Sequence, residues 1–143
     1  MKIPYINLSS QWRYESKDIL KITSKVFEKG QFVGGDEIDK FEKNIAKYCG
    51  TKYAISFNSG TDALTMALIL LGVKRGDEVI TPPNSFISST SCIVHIGAKP
   101  VFVDVLNDQN IDPDKIAKSI TKKTKAIMAV HLTGRVCEMN KIK

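Results

Sequence analysis

The sequence contains no long apolar run. No stretch of about 20 residues is apolar enough to cross a lipid bilayer. The first ten residues, MKIPYINLSS, lack the apolar core of a secretory signal peptide. We therefore expect a cytoplasmic protein with no membrane partner.

Cysteine is scarce and scattered. Cys49, Cys92 and Cys137 lie far apart, form no CxxC pair, and have no neighbouring histidine at ligand spacing. This pattern argues against both a disulfide framework and a structural zinc site. We expect free thiols, buried or partly buried, and no bound metal.

The chain also lacks a basic stripe of the kind that binds nucleic acid. Its net charge is +6 over 143 residues, but the lysines are spread along the chain. The densest cluster, TKKTK at 121–125, is short and has no interleaved aromatics. We expect a solvated basic surface, which suits an anionic small substrate, and no nucleic-acid partner.

Apolar residues at helical spacing predict two amphipathic helices in the first 50 residues. One covers residues 14–29 and ends at Gly30. The other starts at Asp36, which we expect to cap it, and ends at Gly50.

From residue 53 onward, short apolar runs alternate with helical segments. The predicted strands are 53–57, 77–81, 100–105 and 125–132, and the predicted helices are 63–72, 85–97 and one beginning at Asp112 and Pro113. The helix at 63–72 is apolar nearly all round and is expected to be interior. This alternation predicts an α/β fold with a mostly parallel sheet and helices on both faces.

The segment FNSGTD at 57–62 joins a predicted strand to a predicted helix. The chain has neither GxGxxG nor a Walker A sequence, so the usual phosphate-binding motifs are missing. Ser59, Gly60 and Thr61 nevertheless combine short hydroxyl donors with a helix start, where backbone amides are unpaired. Two interpretations stay open, a phosphate site and a plain polar cap. Asp62 would repel a phosphate unless it turns aside and bonds locally.

Two further loops follow predicted strands. In TPPNSFISST at 81–90, Phe86 either stacks on a flat ring or fills the core, which is the commoner role of a phenylalanine. In VHLTGR at 130–135, His131 is a candidate site residue, although a lone histidine is more often packed and hydrogen-bonded. Arg135 faces either solvent or an anion.

Taken in order, several segments resemble the N-terminal portion of the DegT/DnrJ/EryC1/StrS aminotransferases. The segments are GQFVGGDEIDKFEKNIAKYCG, SGTDAL, ITPPNSFISS, GAKPVFVDV and VHLTGR, and the resemblance covers nearly the whole chain. These enzymes use pyridoxal 5′-phosphate and mostly aminate keto groups on nucleotide-linked sugars.

The resemblance implies roles for named residues. Gly60 and Thr61 would donate to the cofactor phosphate, with Ser59 beside them. Phe86 would stack on the pyridine ring, and His131 would lie near the substrate without an assigned catalytic role.

The resemblance also implies substrate-proximal residues in the first loop. Phe32 and Gly34 would lie near the substrate or a partner subunit. Thr133 departs from the family, which usually has an aromatic or apolar residue there.

The implied architecture is a partial fold type I large domain, with residues 1–143 as its N-terminal part. The rest of that domain and the C-terminal domain would be absent. The Schiff-base lysine and the acid near the pyridine nitrogen are expected downstream, so this chain would hold no catalytic residue and would be inactive alone.

The implied substrates are a nucleotide-linked keto sugar and an amino donor such as glutamate, and the implied assembly is a homodimer. Two alternatives stay open. One is a fragment of another fold type I pyridoxal-phosphate enzyme, a sugar dehydratase or a lyase. The other is a non-catalytic α/β module that binds a phosphate ligand or a protein.

Overall fold

The computed structural model describes residues 3–143, which form two compact units. The first unit ends at Ser56, and the second spans Phe57–Lys143. Within the described residues, no helix combines the length and the hydropathy needed to cross a membrane.

The first helix of the first unit, α1, spans Leu8–Lys29. It begins earlier than residue 14, because Asn7 caps it by accepting a hydrogen bond from the amide of Ser10 at 3.1 Å. Gly30 ends it in the left-handed conformation (φ 64°), as predicted.

The second helix, α2, spans Asp36–Cys49, and Gly50 ends it as predicted. Gly35 occupies the N-cap position, so the prediction that Asp36 caps the helix is wrong by one residue. Asp36 lies instead in the first turn, where its negative charge interacts favourably with the positive end of the helix dipole.

The strand predicted at 53–57 is absent from the described structure. A strand needs a neighbour to pair its backbone groups, and residues 53–57 have no pairing partner among the residues that the structure describes. The amide of Ser56 donates instead to the Glu42 carboxylate at 2.7 Å.

The second unit is built around three parallel strands in the order β2-β1-β3. In this unit β1 pairs with both other strands, so that Ile80 lies between Val101 and Ile127. Its elements, in chain order, are α3 (Gly60–Leu70), β1 (Glu78–Thr81), α4 (Ser88–His95), β2 (Lys99–Phe102), α5 (Pro113–Ser119), β3 (Thr124–Ile127), a 3-10 turn (Leu132–Gly134) and α6 (Met139–Ile142).

Strands β2 and β3 are shorter than the predicted 100–105 and 125–132. Their central partner β1 is only four residues long and is followed by Pro82 and Pro83, which have no backbone N–H to donate to the ladder. Asp112 caps α5 and Pro113 follows at its first position, as predicted.

Both faces of the sheet are covered, which confirms the predicted fold class. Val79 packs on one face with Leu68 of α3 and Ile93 of α4. Its neighbour Ile80 points to the other face and packs with Ile111 and Ile116.

The expectation that 63–72 forms an interior helix is only partly correct. Leu68 is the buried residue of α3, whereas Ile69 and Leu70 are 49% and 80% exposed. Only one stripe of α3 reaches the sheet and α4, so its other apolar side chains remain uncovered in this structure.

The three cysteines are free thiols, as predicted. Cys92 and Cys137 are buried, and burial raises the pKa of both thiols. Cys49 is exposed, which corrects the expectation that every thiol would be at least partly buried. No group of residues in the described chain has the composition of a metal site.

Glu78 connects the start of β1 to two other segments. Its carboxylate accepts a hydrogen bond from the Thr121 hydroxyl at 2.6 Å and lies 3.6 Å from the Lys99 ammonium group. The hydrogen bond, followed by the lysine charge, lowers the pKa of Glu78 below its ordinary value.

Thr81 carries a buried hydroxyl at the carboxyl end of β1. Its Oγ1 has no hydrogen-bond partner among the described residues. Leaving such a group unpaired costs about 1–3 kcal/mol. We therefore expect Thr81→Val, which keeps the shape of the side chain, to raise the free energy of unfolding of the protein by about 1 kcal/mol in urea denaturation.

Thr81→Ser is the matched control, because it keeps the hydroxyl and removes a methyl group. We expect it to lower the free energy of unfolding by about 1 kcal/mol. Destabilisation by Thr81→Val would show that the hydroxyl has a partner in solution.

Candidate functional site

A cavity of about 850 Å³ lies within the second unit. Its volume is within the roughly 300–1,000 Å³ typical of small-molecule pockets. Its walls come from three segments, namely the start of α3, the residues around the start of α4, and the residues that follow β3. The last two segments follow the carboxyl ends of parallel strands, where α/β sheets usually bind ligands.

Ser59 caps α3 and holds Asp62 away from the cavity. The Ser59 hydroxyl accepts from the amide of Asp62 at 3.1 Å and donates to its carboxylate at 2.8 Å. Asp62 is not among the residues that line the cavity. Asp62 therefore turns aside and bonds locally, rather than facing the space where a phosphate would be repelled.

Gly60 and Thr61 form the first turn of α3 and line the cavity. Their amides have no protein acceptor within the described residues, as expected for the first turn of a helix. A Cβ placed on Gly60 would meet no heavy atom within 4 Å, so the space in front of this residue is open.

Helices α3 and α4 are joined at the cavity by a pair of hydroxyls. Thr61 Oγ1 and Ser88 Oγ lie 2.7 Å apart and share a hydrogen bond. Ser85 and Ser89 form a second such pair, also at 2.7 Å. The cavity therefore has hydroxyl groups at the starts of both helices.

Phe86 lies on the cavity wall and is 77% exposed. This exposure overturns the alternative in which Phe86 fills the core. An exposed ring on a cavity wall offers a flat surface for stacking.

His131 lines the cavity on the side that follows β3. Its Nδ1 accepts a hydrogen bond from the amide of Cys137 at 3.2 Å. Nδ1 must therefore be unprotonated, and the neutral ring carries its proton on Nε2. Nε2 is the ring nitrogen left to bond a ligand.

The structure brings together five of the predicted site residues around this one cavity: Ser59, Gly60, Thr61, Phe86 and His131. Phe32 and Gly34 belong to the first unit, where they line a smaller cavity of about 170 Å³. There the Phe32 ring makes an edge contact with Phe27, with centroids 5.4 Å apart.

Sequence reasoning missed Ser88, Ser89 and Thr133 as cavity residues. The serine-rich run SSTS after Phe86 was the available signal, because hydroxyls cluster at helix starts. The partner of Ser88 is 27 residues away in sequence, and local spacing does not reveal such a pair.

The cavity contains no charged side chain from the part of the chain that the structure describes. No lysine, arginine, aspartate or glutamate is among its lining residues. Any anion bound there by these residues would be held by amides, hydroxyls and His131.

Two solved structures define the class of the fold. NtdA from Bacillus subtilis with bound cofactor PMP superposes with a TM-score of 0.94 at 38% identity, over 99% of this chain and 33% of NtdA. A DegT DnrJ EryC1 StrS aminotransferase from Brucella abortus gives a TM-score of 0.91 at 30% identity, over 99% of this chain and 40% of that one. The fold is therefore that of part of a pyridoxal-phosphate-dependent aminotransferase.

Residues 13–143 match the model of the DegT/DnrJ/EryC1/StrS aminotransferase family, and the chain belongs to that family. It is also 44% identical over 142 residues to the dTDP-3-amino-3,6-dideoxy-alpha-D-galactopyranose transaminase of Aneurinibacillus thermoaerophilus. That alignment covers 98% of this chain and 39% of the transaminase.

Proposed function

We propose that this chain supplies the cofactor-phosphate site of an aminotransferase that uses pyridoxal 5′-phosphate to aminate a nucleotide-linked keto sugar. One observation carries the proposal: the unpaired amides of Gly60 and Thr61 and the exposed ring of Phe86 line the same cavity. This combination suits a ligand in which a phosphate group is joined to a flat heteroaromatic ring.

The residues present fit the cofactor. Gly60 and Thr61 would hold the phosphate through their amides, assisted by the positive end of the α3 dipole. The open space at Gly60 allows a ligand to approach the backbone closely. Asp62, the nearest carboxylate in sequence, is engaged by Ser59 and does not oppose the phosphate.

When bound, pyridoxal phosphate supplies an electron-withdrawing ring that allows an amino group to move between a donor and a keto sugar. The residues of this chain bind and orient that group. Phe86 would cover one face of the ring and exclude water from it. His131 would present its Nε2–H as a hydrogen-bond donor.

Among the described residues that line the cavity, none carries an amine that could attach the cofactor or a carboxylate that could face its ring nitrogen. We propose that both come from beyond these residues, and that residues 1–143 alone bind the cofactor without transferring an amino group. In this proposal residues 1–143 are the N-terminal part of the large, cofactor-binding domain.

We propose a nucleotide-linked keto sugar as amino acceptor and glutamate as amino donor. The similarity to a transaminase whose name specifies a dTDP-linked amino sugar supports this choice. We place Phe32 and Gly34, of the loop between α1 and α2, near the substrate on the basis of the family resemblance.

We propose in addition that the full gene product is a homodimer in the cytoplasm. The helices of the first unit expose apolar side chains, such as Leu20, Phe27 and Phe41. Exposed apolar side chains of this kind support an interface with a second subunit. The exposed free thiol of Cys49 is typical of a reducing compartment. Mass photometry of the full gene product tests the dimer.

The function is tested with the full gene product, pyridoxal phosphate, glutamate and a panel of nucleotide-linked keto sugars. We expect 2-oxoglutarate and an amino sugar to appear together by mass spectrometry. Cofactor binding without amino transfer to any keto sugar of the panel would contradict the proposed reaction. A borohydride-stable adduct on a lysine of residues 1–143 would contradict the proposed location of the amine.

A further inference from the structure

Asn110 is a buried polar residue behind the cavity wall. It lies between β2 and α5, and its side chain is 2% exposed. A polar side chain this deeply buried is stable only if its amide is hydrogen-bonded. The partners it uses show what it holds in place.

The side chain of Asn110 clamps the 3-10 turn from both ends. Its Oδ1 accepts from the amide of Leu132 at 3.2 Å, and its Nδ2 donates to the carbonyl of Arg135 at 3.2 Å. The same Nδ2 lies 3.4 Å from the carboxylate of Asp108, which in turn lies 3.7 Å from Nε of Arg135.

The clamped turn contains a strained residue. Thr133 has φ 55°, a left-handed conformation that is rare for a β-branched side chain. Such a conformation persists where the surrounding structure holds it. The two hydrogen bonds of Asn110 on either side of Thr133 supply that restraint.

His131 directly precedes this turn and lines the cavity. Its Nδ1 bond to the amide of Cys137 also spans the turn, since Cys137 follows Arg135 by two residues. Release of the turn would move Cys137 relative to His131, and the histidine ring would lose its fixed tautomer and direction.

We propose that Asn110 is a positioning residue that holds His131 in place to contact the bound cofactor. It does not line the cavity, and it would act only through the turn at residues 132–135. This inference rests on the proposed function for its ligand, pyridoxal 5′-phosphate.

A double-mutant cycle on the full gene product tests the connection, with the dissociation constant for pyridoxal phosphate as readout. We expect Asn110→Ala and His131→Ala each to weaken binding about tenfold, as for loss of one hydrogen bond to a charged group. We expect the double variant also to weaken binding about tenfold, because Asn110 acts through His131. Asn107→Ala removes an exposed asparagine of the same loop and should bind normally.

A hundredfold loss in the double variant would mean that the two residues act independently, and it would overturn the proposal. Unchanged binding in either single variant would overturn it as well. If Asn110 had a purely structural role, Asn110→Ala would lower the unfolding temperature. The binding losses of Asn110→Ala and His131→Ala would then add in the double variant.

Nitrogen-15 spectra of the histidine rings provide a readout that needs no cofactor. His131→Gln identifies the His131 signals, because they are the signals that this variant lacks, and His95→Gln is the matched control that should keep them. We expect the Nε2–H tautomer of His131 in the parent protein and a mixture of tautomers in Asn110→Ala. An unchanged His131 spectrum in that variant would overturn the proposal.

Failure of the parent protein to bind pyridoxal phosphate would instead refute the proposed function. The histidine spectra would still decide whether Asn110 positions His131.

Discussion

We expect the replacement of Gly60 with alanine to weaken the binding of pyridoxal phosphate to the full gene product by about 10- to 100-fold, because the methyl group would occupy the space in which we propose that the phosphate lies. The loss corresponds to about 1.5–3 kcal/mol, the usual worth of a hydrogen bond to a charged group. The affinity for pyridoxal, which lacks the phosphate, should change by less than about threefold.

The free protein should tolerate this substitution. Gly60 does not have a positive φ, and a Cβ there meets no heavy atom within 4 Å. Alanine is also the better helix former. Isothermal titration with the two ligands, beside a urea-denaturation curve, makes the measurement. Equal losses for both ligands, or no loss for either, would contradict a phosphate site at Gly60.

Replacing Phe86 with alanine should weaken the binding of pyridoxal phosphate and of pyridoxal by the same factor, about tenfold. Stacking on an aromatic side chain is worth about 1–3 kcal/mol for a flat heterocycle, and both ligands carry the same ring. Because Phe86 is 77% exposed, the free energy of unfolding should hardly change.

Phe86→Tyr keeps a flat ring and should keep the affinity. Ile87→Ala is the matched control, since Ile87 is 66% exposed and does not line the cavity. A loss confined to pyridoxal phosphate in Phe86→Ala would place this residue at the phosphate. If Ile87→Ala lost as much affinity as Phe86→Ala, the loss would come from truncating any side chain of this segment, and stacking by Phe86 would not explain it.

Where a local physical rule decided the structure, the sequence predicted it. Asp112 and Pro113 begin a helix because the side chain caps and the ring pre-sets φ, and Gly30 and Gly50 end helices because they accept a left-handed conformation. Continuous apolar runs predicted a sheet covered on both faces, and Val79 and Ile80 show it.

Where a structural feature depends on contacts with residues distant in sequence, the local sequence does not predict it. Residues 53–57 have a strand-like composition, yet no neighbour pairs with them in the described structure. The apolar side chains of Ile69 and Leu70 suggested an interior helix, but exposure depends on what packs against α3.

The same limit applies to the candidate site. Residues at the ends of predicted strands were recognised, since parallel strands present their carboxyl ends at one edge. The local sequence does not distinguish a Phe86 that packs in the core from a Phe86 that stacks on a ligand. The exposure of Phe86 in the fold excludes the core position. Two sets of contacts join segments that are 22 to 27 residues apart, namely the Thr61–Ser88 hydroxyl pair and the hydrogen bonds of Asn110 to residues 132 and 135. Local sequence patterns do not predict contacts of this kind.

The central claim is that the first turn of α3 binds the phosphate of the cofactor, and amide chemical shifts test it most directly. The measurement is a pair of ¹H–¹⁵N titrations of the full gene product, one with pyridoxal phosphate and one with pyridoxal. The account predicts that the amide signals of Gly60 and Thr61 move strongly downfield with pyridoxal phosphate and move little with pyridoxal. Saturation of binding with both signals unmoved would show that the phosphate lies elsewhere, and the account would be wrong.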